Sequence, residues 1–440
     1  MMPGPMPAPR RGRYRPGWRA TVLMSAMMIV VVSACTSAGT SSATTFSDTP
    51  SATTESDPED AGRTEGSSGE GPGGASIGAE QWATFRLNPA RSGSEAATGS
   101  GTATGSPSEP NAEAAAEAAT APEVVWTFDT GGPVESSPAV VNGVVYAGSF
   151  AERLHALDAV TGAERWSFPV GGLLRASPAV VDGVVYFGAD DDVFYAVDAD
   201  TGAERWHFDL DSGGQQSSPA VGSDLVWFGG LDGNIYALDV ETGAEVWRVQ
   251  TGAGILSSPL VVDGRLHIGS IDGSVYTLDA MTGAEIWRLD TGGPVFSSPT
   301  LIDDRILIGS DDGRLYALEV ESGALAWSVE TAAPVFATPA GAEGMAYVGS
   351  RDGSFLAVEV DTGEVQWRTD LVEVLSSAAV TAEHVFVGSS DGNLYVLDRA
   401  DGSIVSRLPV GNLVWTSPAV VDGWLYFGAH DGQIHAYRLG

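Results

Sequence analysis

Ala156-Leu157-Asp158-Ala159-Val160-Thr161-Gly162-Ala163-Glu164-Arg165-Trp166 returns as Ala237 to Trp247 and, less strictly, as Thr277 to Trp287. The tryptophan that ends the phrase marks a period: Trp126, Trp166, Trp206, Trp247, Trp287, Trp327 and Trp367 follow one another every 40 residues, with one slip to 41. A second phrase, Ser136-Ser137-Pro138-Ala139-Val140-Val141, runs ahead of the first and is echoed at Ser217, Ser257 and Ser297. Several short apolar runs inside a fixed period near 40 are the signature of a radial β-repeat array.

Each period reads as four strands. In the first, Ala139-Val140-Val141 is the inner strand and Asn142-Gly143 turns it. Val144 to Gly148 is the second strand, Leu154 to Leu157 the third, and Thr161-Gly162 leads into a fourth around Trp166. Asn-Gly and Asp-Gly turns suit type I′ hairpins, which need positive φ at both central residues. Asp-Gly recurs between the second and third strands at 232, 272, 312, 352, 391 and 431, with Ala151-Glu152 and Asp191-Asp192 in its place in the first two repeats.

The inner-strand phrase occurs eight times, starting near 137, 177, 218, 258, 298, 338, 377 and 417. The last repeat has only three strands, whereas Val124-Val125-Trp126-Thr127-Phe128 precedes any inner strand. Joining the two completes an eighth blade and closes a ring without a free edge. The expected fold is all-β, an eight-bladed β-propeller spanning 123–440. Arg407 stands where the seventh repeat's tryptophan is due, and Ala378 replaces that repeat's proline.

The N-terminal 122 residues differ. Residues 1–34 carry five arginines and no acid, then the apolar run Ala26 to Val32, which is a signal-peptide pattern. It ends in Val32-Ser33-Ala34-Cys35, which resembles the lipobox of bacterial lipoproteins, and Cys35 is the chain's single cysteine. The expectation is export, with Cys35 carrying lipid and anchoring the protein to a membrane outside the cytoplasm. Residues 35–78, rich in Ser, Thr, Gly and acids, read as a tether, and 94–122 as a second low-complexity linker. A tether of up to about 85 residues would reach roughly 50 Å. Between these stretches, 79–93 holds two aromatics and two arginines.

The repeat resembles that of pyrroloquinoline quinone (PQQ)-type propellers, whose Ala-x-Asp-x-x-Thr-Gly-x-x-x-Trp stretch docks neighbouring blades. Trp82, Phe85, Arg86, Asn88, Pro89, Ala90, Arg91 and Gly93 match a segment often found ahead of such propellers, where it packs against the ring. The resemblance implies one of two activities. Some relatives are dehydrogenases that hold PQQ and Ca²⁺ in the central funnel; others are lipoproteins of the outer-membrane barrel-assembly type, which are non-catalytic docking scaffolds. Many of the dehydrogenases use adjacent cysteines beside the cofactor, which one cysteine cannot supply, and no stretch here leaves the repeat to build a catalytic loop. The reading adopted is therefore a monomeric, non-catalytic scaffold for envelope proteins, with no cofactor and no metal. A PQQ/Ca-dependent dehydrogenase or small-ligand binder using the same funnel is the alternative.

Residues that recur at one phase are structural, and this covers all seven tryptophans. Six histidines (155, 207, 267, 384, 430 and 435) show no ligand spacing; His155 and His435 share a strand phase usually held by Tyr. The residue before the Ser-Ser/Ser-Pro phrase behaves differently, because it varies from repeat to repeat. It reads Glu135, Arg175, Gln216, Leu256, Phe296, Phe336, Leu375 and Trp415. One such residue per blade faces the channel mouth, giving three polar neighbours and an exposed apolar arc, a pattern enriched at interfaces or, equally, a plug for the funnel.

The charge sets a further constraint. All 22 basic residues are arginine, against 57 acids; removing the five of residues 1–34 leaves a net charge of −40. Such a surface repels nucleic acid and anionic lipid. GC-rich codon usage and adaptation to high salt both produce this bias. Repulsion on that scale is relieved by screening, so the melting temperature should fall as salt is lowered from molar to millimolar. A midpoint constant across that range contradicts this.

Overall fold

The computed structural model describes residues 122–439. The signal peptide, Cys35, the tether, the 79–93 segment and all but the last residue of the linker lie outside the described residues. Within them are 32 strands in eight four-stranded antiparallel sheets, and no helix. Blades 1 to 7 span 139–169, 179–209, 220–250, 260–290, 300–330, 340–370 and 379–409. Blade 8 takes its three inner strands from 419–438 and its outer strand from Glu123–Asp129, which pairs antiparallel with Gln433–Arg438. The ring closes as the orphan tryptophan strand requires.

Turn chemistry explains the order. In blades 1, 2, 4, 6 and 8 the first and second strands meet in two-residue turns with both residues left-handed, as at Asn142 (φ 50°) and Gly143 (φ 73°). That is the type I′ geometry the sequence calls for. Blade 5 has only Asp303 left-handed, and blades 3 and 7 use three-residue connections. The Asp-Gly turns between second and third strands differ from expectation. In them only the glycine has positive φ (Gly233, 87°), and Gly230 and Asn234 flank a three-residue loop. This is a type I turn followed by a left-handed residue. Glu152 (φ 58°) and Asp192 (φ 64°) fill the glycine's slot in blades 1 and 2. The 41-residue period falls in the connection 210–219, one residue longer than the nine-residue 251–259, where Gly213 and Gly214 are both left-handed.

The hydrophobic core is not one cluster but eight, each shared by two neighbouring blades. At the blade 1–2 seam, for example, Tyr146, Leu154 and Ala156 pack on Val180, Val185 and Phe187. Two polar devices hold these layers in register. Around the axis, the hydroxyl two residues ahead of each inner strand accepts the amide of its counterpart in the preceding blade. The links run Ser137→Ser177→Ser218→Ser258→Ser298→Thr338→Ser377→Ser417→Ser137, at 2.8 to 3.3 Å. Farther out, every repeat tryptophan donates its indole N–H to a backbone carbonyl of the next blade, from Trp126 to Ala159 O (3.0 Å) through Trp367 to Arg399 O (3.1 Å). The same ring lies on the Thr-Gly glycine of that blade. A Cβ on Gly162 would stand 2.6 Å from Trp126.

One seam lacks the device, and the structure corrects its register. In blade 7 it is Ser406, paired with Val396, that occupies the tryptophan position, as Trp367 pairs with Ala357; Arg407 is the next residue and lies over the Tyr395 ring. The crossing 371–378 is one residue shorter than the nine-residue 331–339, which moves the whole of blade 7 by one, and no aromatic marks it. Truncating a half-buried tryptophan costs about 3–5 kcal/mol, whereas a surface-strand serine costs about 0.5 kcal/mol or less. Trp247→Ala should therefore lower the denaturation midpoint sharply and Ser406→Ala should leave it unchanged, as read by urea titration of tryptophan fluorescence.

Candidate functional site

Strand direction sorts the connections onto two faces. The outer-to-inner crossings and the Asp-Gly turns share one face; the Asn-Gly and Thr-Gly turns share the other. On the first face, Glu135, Arg175, Gln216, Leu256, Phe296, Phe336, Leu375 and Trp415 line a single cavity of about 170 Å³. Its floor includes hydroxyl-ring residues, among them Ser137, Ser177, Ser218 and Ser258.

The polar third of this mouth is a linked network. Arg175 Nη1 meets Glu135 Oε2 at 2.6 Å, and its Nε meets Asp190 Oδ2 at 3.2 Å. Gln216 donates to Asp190 Oδ1 (3.0 Å), and the guanidinium of Arg175 lies 4.4 Å from the Phe150 ring centroid. Burial pushes the Glu135 carboxyl up, but the His430 imidazole and the Arg175 charge outweigh it and hold it below its ordinary value.

The other arc is apolar. Phe296 and Phe336 stack with centroids 4.7 Å apart, Arg351 lies over Phe336, and Trp415 meets His430 edge-on at 4.5 Å. Trp415 also donates its N–H to Ser390 Oγ (2.9 Å). The arc is half-buried rather than exposed, because the rings cover one another and their neighbours. The large exposed apolar residues sit mainly on outer strands instead, such as Val124, Val125, Val246, Ile286, Ile404 and Val405.

These contacts bring in a second ring that sequence reasoning missed. It consists of the residue opening each second-to-third-strand turn: Phe150, Asp190, Leu231, Ile271, Asp311, Arg351, Ser390 and His430. The signal was present, since this position too varies at a fixed phase. Asp311 is notable within it: burial pushes its carboxyl up against the pull of Arg351, and its Oδ1 is buried without a hydrogen-bond partner.

The recurrent aspartates serve the fold. Asp272 accepts the amide of Ser274 (2.9 Å) through Oδ1, and the Tyr276 hydroxyl (2.6 Å) and the Gly252 amide (2.8 Å) through Oδ2. One carboxylate thus ties its own turn to the third strand and to the incoming crossing. Asp191 and Asp312 repeat the pattern. In blade 8, His435 replaces the tyrosine, reaching Asp431 at 2.9 Å and stacking on Phe427. In blade 1, where the aspartate is missing, His155 turns to Glu164 (2.9 Å). Burial depresses both imidazoles. Each is a substitute on the tyrosine shelf.

The mouth is small and its carboxylates are already engaged. A cavity of about 170 Å³ is below the roughly 300–1,000 Å³ of pockets for drug-sized ligands. Ca²⁺ wants six to eight oxygens, yet Glu135 and Asp190 are engaged by Arg175, and no group of three or more His, Cys, Asp or Glu among the described residues could hold a metal ion.

Comparison with known proteins agrees with this architecture. The family described as "Beta-alanine-activating enzyme, beta-propeller" matches residues 111–344, more than half the chain, and "Outer membrane protein assembly factor BamB" matches 271–438. Among solved structures, BamB from Moraxella catarrhalis is similar at 23% identity and TM-score 0.65, covering 72% of this chain and all of that one. The quinohemoprotein alcohol dehydrogenase of Comamonas testosteroni (18%, TM-score 0.62) covers 72% of this chain and 76% of its own. A europium-containing methanol dehydrogenase (14%, TM-score 0.67) covers 82% and 98%. At these identities the structural likenesses establish the fold alone. No curated protein matches the chain in sequence. The chain is a PQQ-like β-propeller repeat protein, and it belongs to the β-propeller family described for the beta-alanine-activating enzyme.

Proposed function

We propose that this protein is an exported, lipid-anchored scaffold that works without catalysis, holding an envelope protein at its mouth. The observation that carries the reading is the asymmetry of that mouth. Eight otherwise equivalent positions divide into a charged third and an aromatic-aliphatic arc, with the floor fixed by hydroxyls committed to the ring. Partly buried aromatics beside an arginine are the composition of binding hot spots. A shallow cavity suits a protruding side chain or loop better than an enclosed small molecule. The similarity to BamB, whose family is described as an outer membrane protein assembly factor, supports a partner in the envelope. Lipid on Cys35 would keep the ring near the membrane, and the 79–93 segment would dock on the propeller.

A photo-crosslinking amino acid placed at position 336 in living cells should trap one envelope protein. The same probe at position 246, on an outer strand, should not. The double variant Phe296→Ser/Phe336→Ser should keep its melting temperature within a few degrees and release the partner captured through a probe at 375. Capture that survives the double variant would remove the mouth as the interface.

A further inference from the structure

Blades 1 and 2 contain a receptor for a guanidinium, built twice with the same dimensions. Arg165, just before its tryptophan, donates from Nη2 to Asp158 Oδ2 (2.8 Å) and to Gly143 O (3.2 Å). Arg205 repeats this with Asp198 Oδ2 (2.8 Å) and Gly183 O (3.2 Å). Both aspartates are held at about 2, chiefly by the arginine's hydrogen bond. The receptor consists of the carboxylate that ends the third strand and the carbonyl of the first hairpin turn.

Blades 3 to 7 keep the carboxylate and lack the arginine, and in blades 6 and 7 two such positions share a groove. Gln366 and Val405 occupy the position of Arg165, while Glu359 and Asp398 occupy that of Asp158. Neither acid forms an ion pair: Glu359 accepts only the Thr362 hydroxyl, and Asp398 only the amides of Ala400 and Asp401. Both line one groove of about 700 Å³ between the two blades, on the face opposite the mouth. Trp367 and Tyr347 form its wall, with ring centroids 5.8 Å apart, and Glu383 adds a third carboxylate. The cation in the groove, Arg399, is already committed to Tyr347, Thr381 O, Ala382 O and Glu343.

We infer that this groove is a second binding site, which takes an arginine side chain presented by a partner protein. The planar guanidinium fits a carboxylate-plus-carbonyl receptor and stacks on an indole, which an ammonium does less well. The strongly acidic body steers a basic segment toward it. The site is independent of the mouth in residues and in face.

The test is calorimetry on the full chain with three blocked peptides: acetyl-Gly-Arg-Gly-amide, its lysine analogue, and its citrulline analogue, which keeps the shape and loses the charge. The arginine peptide should bind saturably and the citrulline peptide should bind about tenfold more weakly or not at all, the lysine peptide falling between them. Gln366→Arg gives blade 6 the residue that blades 1 and 2 already accommodate, so the ring should fold while its own guanidinium competes for the site. That variant and Asp398→Asn should each weaken the arginine peptide about tenfold, and Phe296→Ser/Phe336→Ser should leave it unchanged. Absence of saturable binding, equal binding of the citrulline peptide, or full affinity in both groove variants would overturn the inference. Loss caused by the mouth double variant would do so as well, by placing the peptide at the mouth.

Discussion

The closed circle of eight hydroxyl-to-amide hydrogen bonds is the constraint from which the rest of the ring follows. A short inner strand of two or three residues has little side-chain surface to pack, and the amide two residues ahead of it, near the axis, finds its partner in the neighbouring blade. A hydroxyl at one phase satisfies each of these amides in turn. The circle has no terminus at which such a donor is left unsatisfied, so the number of blades and their spacing are fixed together. The tryptophans then set the distance between blades farther out, where the wedge between them widens and a larger side chain is needed. Serine near the axis and indole near the rim are two answers to one geometric problem at different radii.

Because the repeat is so fully specified, function is confined to the positions that the ring does not use. Two such positions exist per blade on one face, and both vary; on the opposite face the residue before the tryptophan varies in the same way. The propeller thus behaves as a rigid frame with independent address points. Its aspartates illustrate the division. The carboxylates in the Asp-Gly turns are saturated by backbone and tyrosine donors, whereas those at the third-strand ends of blades 6 and 7 still have an oxygen to offer.

The legibility of the sequence follows the same line. Blade number, strand order, the closure through Trp126 and the gathering of Glu135 to Trp415 at one mouth were all readable, since a period fixes phase and phase fixes direction. Reading failed where the period carried no marker. Without a tryptophan in blade 7, the shortened crossing 371–378 moved the register by one unseen, and Arg407 was read in the place of Ser406. The Asp-Gly turns resembled type I′ hairpins because the dipeptide is shared, while the loop length that separates the two geometries lies in the strands' pairing. The second ring, from Phe150 to His430, went unread because it precedes the aspartate that drew attention to itself. The aromatic arc is half-buried through contacts between blades, such as Phe296 on Phe336, that no single repeat displays.

The strand Glu123–Asp129 and its partner Gln433–Arg438 stand some 300 residues apart in the chain. Blades 1 to 7 are each local in sequence and can form in succession as the chain becomes available. Blade 8 cannot, because its outer strand is made first and its inner strands last. Until then the Trp126 strand has no sheet, and both the hydroxyl circle and the indole chain stay open at the same place. Long-range closure of this kind is slow compared with hairpin formation. Docking of this one strand is what converts an open row of sheets with free edges into a ring without them, so the unclosed form is the one that exposes strand edges to its own copies.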